Sequence, residues 1–170
     1  AGRSALTSNT STFLLNCELV SYRGYSITTG SGGVTVKNCY IHDSDIGIRN
    51  TGTGTGQHVI IGNIIDSCIT AAISYTAALT GLIFIINNTL MGSINTTGIG
   101  INFSTGVGSP FVTNNIITGF VTGISHADTQ TNGFDDYNDY FNNVNDVSAA
   151  GQWQKGTNSI ALDPQFQNLL

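Results

Sequence analysis

The sequence predicts an all-β solenoid, a coil of short parallel strands that turns about six times. Three observations predict it. Six segments align on an asparagine-rich position at steps of 22 to 27 residues. Fixed columns beside that position are aliphatic in nearly every segment. The stretches between segments are rich in Gly, Thr and Ser and carry no helical stripe. A repeat of this period is the mark of a stacked architecture in which each unit buries its apolar face against the next.

The segments are "LLNCELVS", "VKNCYIHD", "IIGNIIDS", "IINNTLMG", "VTNNIITG" and "DYNDYFNN". Their third residues are Asn16, Asn38, Gly62, Asn87, Asn114 and Asn138. Asn and Gly tolerate a left-handed backbone at least cost, so a sharp bend is expected there in every coil. The next column holds Cys17, Cys39, Asn63, Asn88, Asn115 and Asp139. These small polar side chains lie between two apolar columns and should point inward, where stacked amides hydrogen-bond along the axis. Cys stands in for Asn as a small, easily buried side chain.

The strand before the bend contributes Leu14, Val36, Ile60, Ile85 and Val112, with Asp136 breaking the pattern in the last coil. The strand after it contributes Leu19, Ile41, Ile65, Leu90, Ile117 and Phe141. About ten residues later comes a second column: Ile27, Ile48, Ile73, Ile101, Ile124 and Val147, often in a Gly-x-aliphatic context. β-Branched residues dominate, and strands one period apart in the same direction must pair in parallel. The segment "VTVKNCYI" also fits a leucine-rich repeat. The returning arcs "DSDIGIRNTGTGTG" and "TAAISYTAALTG" are too poor in Leu and too rich in Gly and Thr for that fold.

These aliphatic-x-x-Asn-x-aliphatic rungs followed by Gly-x-aliphatic resemble the right-handed parallel β-helix repeats of the pectate-lyase-like superfamily. The resemblance covers roughly residues 12–147, and the C-terminal stretch is similar to the ending of many such repeat proteins. It implies a right-handed parallel β-helix and a polysaccharide as partner, handled by a binder, a lyase or a glycoside hydrolase. The same superfamily holds tailspikes and adhesins, so a non-catalytic surface module is the alternative. The lyase and hydrolase signature motifs of the superfamily are not found, and neither is an N-terminal capping helix. The expected location is extracellular, or on a cell or virion surface. The chain is read as one β-helix domain with a tail over 148–170, either whole or part of a longer β-helix.

Composition narrows the partners. Charged residues are 9% of 170 and the net charge is −5, with only five Lys and Arg. That argues against a nucleic-acid backbone as partner. The longest apolar runs fall well short of a membrane-spanning length, so no membrane insertion is expected. Three cysteines leave at least one thiol unpaired. Exposed coil ends invite end-to-end homo-oligomers.

In so charge-poor a chain, polar residues near coils one to three stand out. Stacking places His42 beside Asp66, Asp43 beside Ser21 and Ser67, and Arg23 beside Asp45. Arg49 follows on the next strand. As catalysts the candidates are Asp43, Asp66 and His42. Arg23, Asp45, Arg49 and Tyr40 are the substrate-binding candidates, with Tyr22, Tyr25 and Tyr40 as sugar-stacking platforms. Asp43, Asp45 and Asp66 carry the oxygen ligands that Ca²⁺ takes, while Arg23 or His42 would act as base in a lyase. Asp43 with Asp66 would suit an inverting hydrolase. The plainer reading is that any solvated β-helix corner displays such residues. His58 and His126 read as surface or turn histidines. Asp135, Asp136 and Asp139 look like a metal site only on paper, because they belong to the final coil. In the tail, Trp153, Ile160, Leu162 and Phe166 are placed to cover that coil, and Asp163-Pro164 to set a turn.

Overall fold

The computed structural model describes residues 4–22, 24–92, 98–104, 106–127, 133–151 and 153–166. Its strands follow the coils in order. The first coil runs through β1 (Ser4–Ser8), β2 (Thr12–Leu15) and β3 (Glu18–Val20). Then come β4 (Tyr25–Thr29), β5 (Val34–Lys37) and β6 (Tyr40–His42), and β7 (Ile46–Asn50), β8 (His58–Ile61) and β9 (Ile64–Cys68). The middle coils carry β10 (Ala71–Tyr75), β11 (Ile83–Ile86), β12 (Thr89–Gly92), β13 (Ile99–Phe103), β14 (Pro110–Thr113) and β15 (Ile116–Thr118). The last contains β16 (Thr122–His126), β17 (Phe134–Asp136), β18 (Asp139–Phe141) and β19 (Asn145–Ala149).

Every third strand belongs to the same sheet, and all pairs are parallel. The first sheet is β1-β4-β7-β10-β13-β16-β19, the second β2-β5-β8-β11-β14-β17, the third β3-β6-β9-β12-β15-β18. The protein is thus a parallel β-helix of about six coils, and no helix occurs among the described residues.

The register explains the columns. Ile27, Ile48, Ile73, Ile101 and Ile124 stand opposite one another along the first sheet. Val36, Ile60, Ile85 and Val112 do so in the second, and Ile41, Ile65, Leu90 and Ile117 in the third. All but Ile48, at 2% exposure, are fully buried. Each such side chain contributes about 1.5–3 kcal/mol relative to exposure, and the three columns together form the core.

The bends are left-handed where Asn or Gly was expected: Asn16, Asn38, Gly62, Asn87 and Asn114 have φ between 54° and 67°. In the sixth coil the register differs from the sequence reading by one residue. The left-handed residue is Tyr137, at φ 57°, and Asn138 lies in the inward column instead of Asp139. Asp135 faces Val112, and Tyr140, not Phe141, faces Ile117. The inward amides form a ladder. The backbone N–H groups of Cys39, Asn63, Asn88 and Asn115 donate to the side-chain oxygens of Asn63, Asn88, Asn115 and Asn138 at 2.8–3.0 Å. The Asn138 N–H continues the series to Ser159 Oγ at 3.1 Å.

The Gly-x-aliphatic motif has a packing cause. A Cβ on Gly47 would sit 2.7 Å from the Ala72 carbonyl and 2.8 Å from Ile65. On Gly123 it would meet the Asp146 carbonyl at 2.6 Å and the Tyr140 ring at 3.0 Å.

The tail adds a partial further rung. Ile160 bridges Asp139, and its carbonyl accepts the Tyr140 N–H at 2.9 Å. Trp153 is buried against His126 and Phe103, but Ile160, Leu162 and Phe166 remain exposed, so only Trp153 covers the core as expected. Asp163 accepts the Gln165 N–H at 2.9 Å, closing the expected turn.

Candidate functional site

The outer face of the third sheet is built by simple alternation. On β6, Ile41 points in, so Tyr40 and His42 point out. The parallel register then sets Glu18 opposite Tyr40, and Asp66 opposite His42. His42 Nε2 lies 3.0 Å from Glu18 Oε1, and its Nδ1 lies 2.8 Å from Asp43 Oδ2. The Tyr40 ring stacks on the imidazole at 4.3 Å between centroids, with planes 18° apart. The Asp43 hydrogen bond raises the imidazole pKa above its usual value, aided by Glu18 and opposed by partial burial. Burial, then Asp66, Asp43 and Glu18, push the Tyr40 phenol up as well, which keeps it a neutral donor.

Glu18 is the residue that sequence reading missed. Its signal was an outward position two residues after the bend, one rung before His42. Asp43 also has a backbone duty. It is left-handed, φ 52°, at a second corner where other coils place Ser67, Gly119 and Asn142.

The remaining candidates are only partly gathered. Asp66 accepts the Ser67 hydroxyl at 3.1 Å. Asp45 sits on the corner toward the first sheet, accepts the Thr70 hydroxyl, and donates its N–H to Gly24 at 2.8 Å. Arg49 is on a different sheet: it lies on the first sheet, opposite Thr28 and Ser74, with its guanidinium 4.5 Å above the Tyr25 ring. Arg23 lies outside the described residues. Among the described residues no group of three or more His, Cys, Asp or Glu side chains is arranged to hold a metal ion.

The same holds for Asp135, Asp136 and Asp139, which hold the end of the solenoid together. Asp135 accepts from Asn138 Nδ2 at 2.6 Å and Tyr140 OH at 2.8 Å. Asp136 binds the Asn158 N–H and amide, and Asp139 the Leu162 N–H. His58 and His126 are buried, contrary to the surface reading. His58 occupies the inward column of the second sheet opposite Val34 and Ile83, and burial pushes its pKa down to about 4. His126 continues the inward column of Tyr75 and Phe103 and stacks on Trp153 at 4.9 Å.

Two other surfaces invite comparison. A hollow of about 740 Å³ opens at the last coil, lined in part by Asn143, Asp146, Trp153 and Lys155. Its charges are paired with each other, Lys155 Nζ to Asp146 at 2.7 Å. The second sheet's outer face carries a ladder of Phe84, Phe111 and Phe134, with centroids 5.4 and 6.3 Å apart. Phe111 and Phe134 are exposed, and among the described residues this ladder carries no charged partner beside its rings like those around Tyr40 and His42.

Fold and surface together define a parallel β-helix protein with a small acidic and aromatic strip on its third sheet. No family model, no curated protein and no solved structure matches the chain.

Proposed function

We propose that the protein recognises an extended polysaccharide along the outer face of the third sheet at coils one to three. The observation that carries this reading is the Tyr40–His42 stack framed by Glu18, Asp43 and Asp66. An aromatic face beside several hydrogen-bond acceptors suits a sugar, whose ring is apolar on its faces and hydroxylated at its rim. Rungs repeat every ~4.8 Å along a straight face, a geometry suited to a linear polymer. Three carboxylates around the Tyr40–His42 pair disfavour a polyuronate, so the substrate class is a neutral polysaccharide. His42, held between two carboxylates, is the proton donor that a cleaving version of the site would use.

The test is a panel of neutral and acidic polysaccharides, with and without Ca²⁺. Binding is followed by affinity electrophoresis and chain shortening by mass spectrometry. Wild type should retain on neutral polymers, and Asp43→Asn, Asp66→Asn and Tyr40→Ala should each weaken retention without altering the circular dichroism spectrum. Retention that is equal for all four proteins would remove the site. Gain of water at new chain ends would mean hydrolysis, and ends lacking it a lyase.

The second reading is a non-catalytic structural or adhesive module on a cell or virion surface. The observation favouring it is the exposed apolar face of the second sheet, with Phe13, Leu15, Phe111 and Phe134 all exposed. End-to-end association belongs to this reading. A light-scattering mass equal to the monomer at high concentration would count against it.

A further inference from the structure

The amide ladder changes chemistry at coils one and two. Asn63, Asn88, Asn115 and Asn138 fill four successive rungs, and Cys17 and Cys39 fill the two before them. Register between those two cysteines is held from both sides. Leu15 pairs with Lys37 and Glu18 pairs with Tyr40, so Cys17 and Cys39 stand opposite each other without slip. The Tyr40 N–H donates to the Cys17 carbonyl at 2.8 Å. Both thiols adopt the same orientation, each donating to the carbonyl two residues before it, Leu15 at 3.1 Å and Lys37 at 3.3 Å. Two adjacent parallel residues lie ~4.8 Å apart, inside the roughly 4.4–6.8 Å Cα window of a disulfide.

We propose that Cys17 and Cys39 are a disulfide-forming pair, a covalent staple between the first two coils that closes when a small-molecule disulfide is present. Cys17 is half-buried and Cys39 is buried, so Cys17 is the thiol an oxidant reaches first. Burial raises the Cys39 thiol above its ordinary pKa and keeps it protonated until it is needed. The Cys17 thiolate attacks one sulfur of oxidised glutathione, and that S–S bond breaks to release one glutathione thiolate. Cys39 then gives up its proton and attacks the Cys17 sulfur of the mixed disulfide, releasing the second glutathione. Two protein thiols are oxidised, one glutathione disulfide is reduced, and the two protons end on the two glutathione thiols. A staple here ties a loop of 22 residues and takes over, between these coils, the work that the amides do in the rest of the column.

Cys68 supplies an internal control. It is buried on β9 beside Gly47, and burial pushes its thiol up to about 12. The folded protein is incubated in a series of reduced and oxidised glutathione mixtures, quenched by acid, denatured, alkylated and digested with trypsin without reduction. Cleavage after Arg23, Lys37 and Arg49 separates all three cysteines onto different peptides.

The expected product is a linked pair of peptides containing Cys17 and Cys39, with Cys68 alkylated, and a higher midpoint of thermal unfolding for the oxidised protein. Cys39→Ser should instead stop at the glutathione adduct on Cys17, without the thermal gain. A wild-type chain that stops at that adduct, links Cys17 to a second chain, or leaves both thiols alkylated at every ratio would overturn the proposal.

Discussion

Replacing Asp135 by asparagine should change how stability depends on pH, and the change can be worked out in sign and size. The Asp135 carboxyl is 6% exposed, and its second oxygen is buried without a hydrogen-bond partner. Burial pushes its pKa from 3.8 up to about 6, against the bonds from Tyr140 and Asn138. The folded chain therefore keeps this proton to about pH 6, while the unfolded chain sheds it near 3.8. The stability tied to that proton is fully present below pH 3.8 and is lost as pH rises through about 6. Two units at about 1.4 kcal/mol each give about 3 kcal/mol. His58 works in the opposite sense. Its pKa is down from 6.5 to about 4, so its contribution is present above pH 6.5 and is lost as pH falls through about 4. That slope is also worth about 3 kcal/mol. In the wild type the two nearly cancel across the shared window. Asp135→Asn should unmask the His58 slope, so that stability climbs with pH by about 3 kcal/mol over the window. His58→Gln should unmask the reverse. Urea unfolding followed by Trp153 fluorescence at stepped pH measures both. Profiles of Asp135→Asn and wild type that run parallel from pH 4 to 6.5 would refute the assignment, since every other titrating group is common to both.

Four further outcomes follow from the packing. Asn88→Ala removes an amide that donates to Ile60, Ile86 and Asn115 and accepts from Asn63, and should cost about 2–4 kcal/mol in chemical denaturation. Its neighbour Asn87→Gly, at φ 55°, should move the midpoint little, because glycine adopts that backbone freely. Gly47→Ala should lose about 1–3 kcal/mol, since the new methyl meets a carbonyl and Ile65 together. Trp153→Ala should lose about 3–5 kcal/mol and lower the melting temperature, as the ring is the tail's one buried anchor among the described residues.

Much of the coil was legible because its rules are local and repeat. An aliphatic side chain at alternate positions and a residue that accepts φ > 0 recur in coil after coil, so each confirms the others. The sixth coil was misread because two demands compete for one asparagine. Coils four and five supply Asn-Asn, one for the bend and one for the ladder. Coil six has a single Asn there, and it goes to the ladder. Leaving a buried ladder position without its amide costs more than seating Tyr137 in a left-handed bend, which costs roughly 1–2 kcal/mol. Asp135 was unforeseen as a core residue because its partners Tyr140 and Asn138 only converge once that register is adopted. The histidines were misjudged for a related reason. His58 and His126 fall on inward positions opposite aliphatic or aromatic residues, Val34 and Ile83 for the first and Phe103 for the second, and composition alone gives a histidine no inward preference. On the third sheet, His42 opposite Asp66 follows from stacking, whereas Glu18 reaches His42 across one rung and carried no mark of its own.

The amide column also acts as an index from the second coil to the sixth. Flat parallel sheets with aliphatic interiors are prone to slip, because one isoleucine packs on another in several alignments. The arcs do not prevent this, since the bends at Asn16, Asn38, Gly62, Asn87, Asn114 and Tyr137 are separated by anything from 22 to 27 residues. A slipped coil, however, would pull its amide out of line with those on either side and break its hydrogen bonds to both at once. From the third coil on, each winding is therefore zeroed against the previous one at a single point. The arcs are left free to lengthen or shorten, and so to carry whatever surface chemistry the chain acquires, while the pitch of the solenoid stays constant.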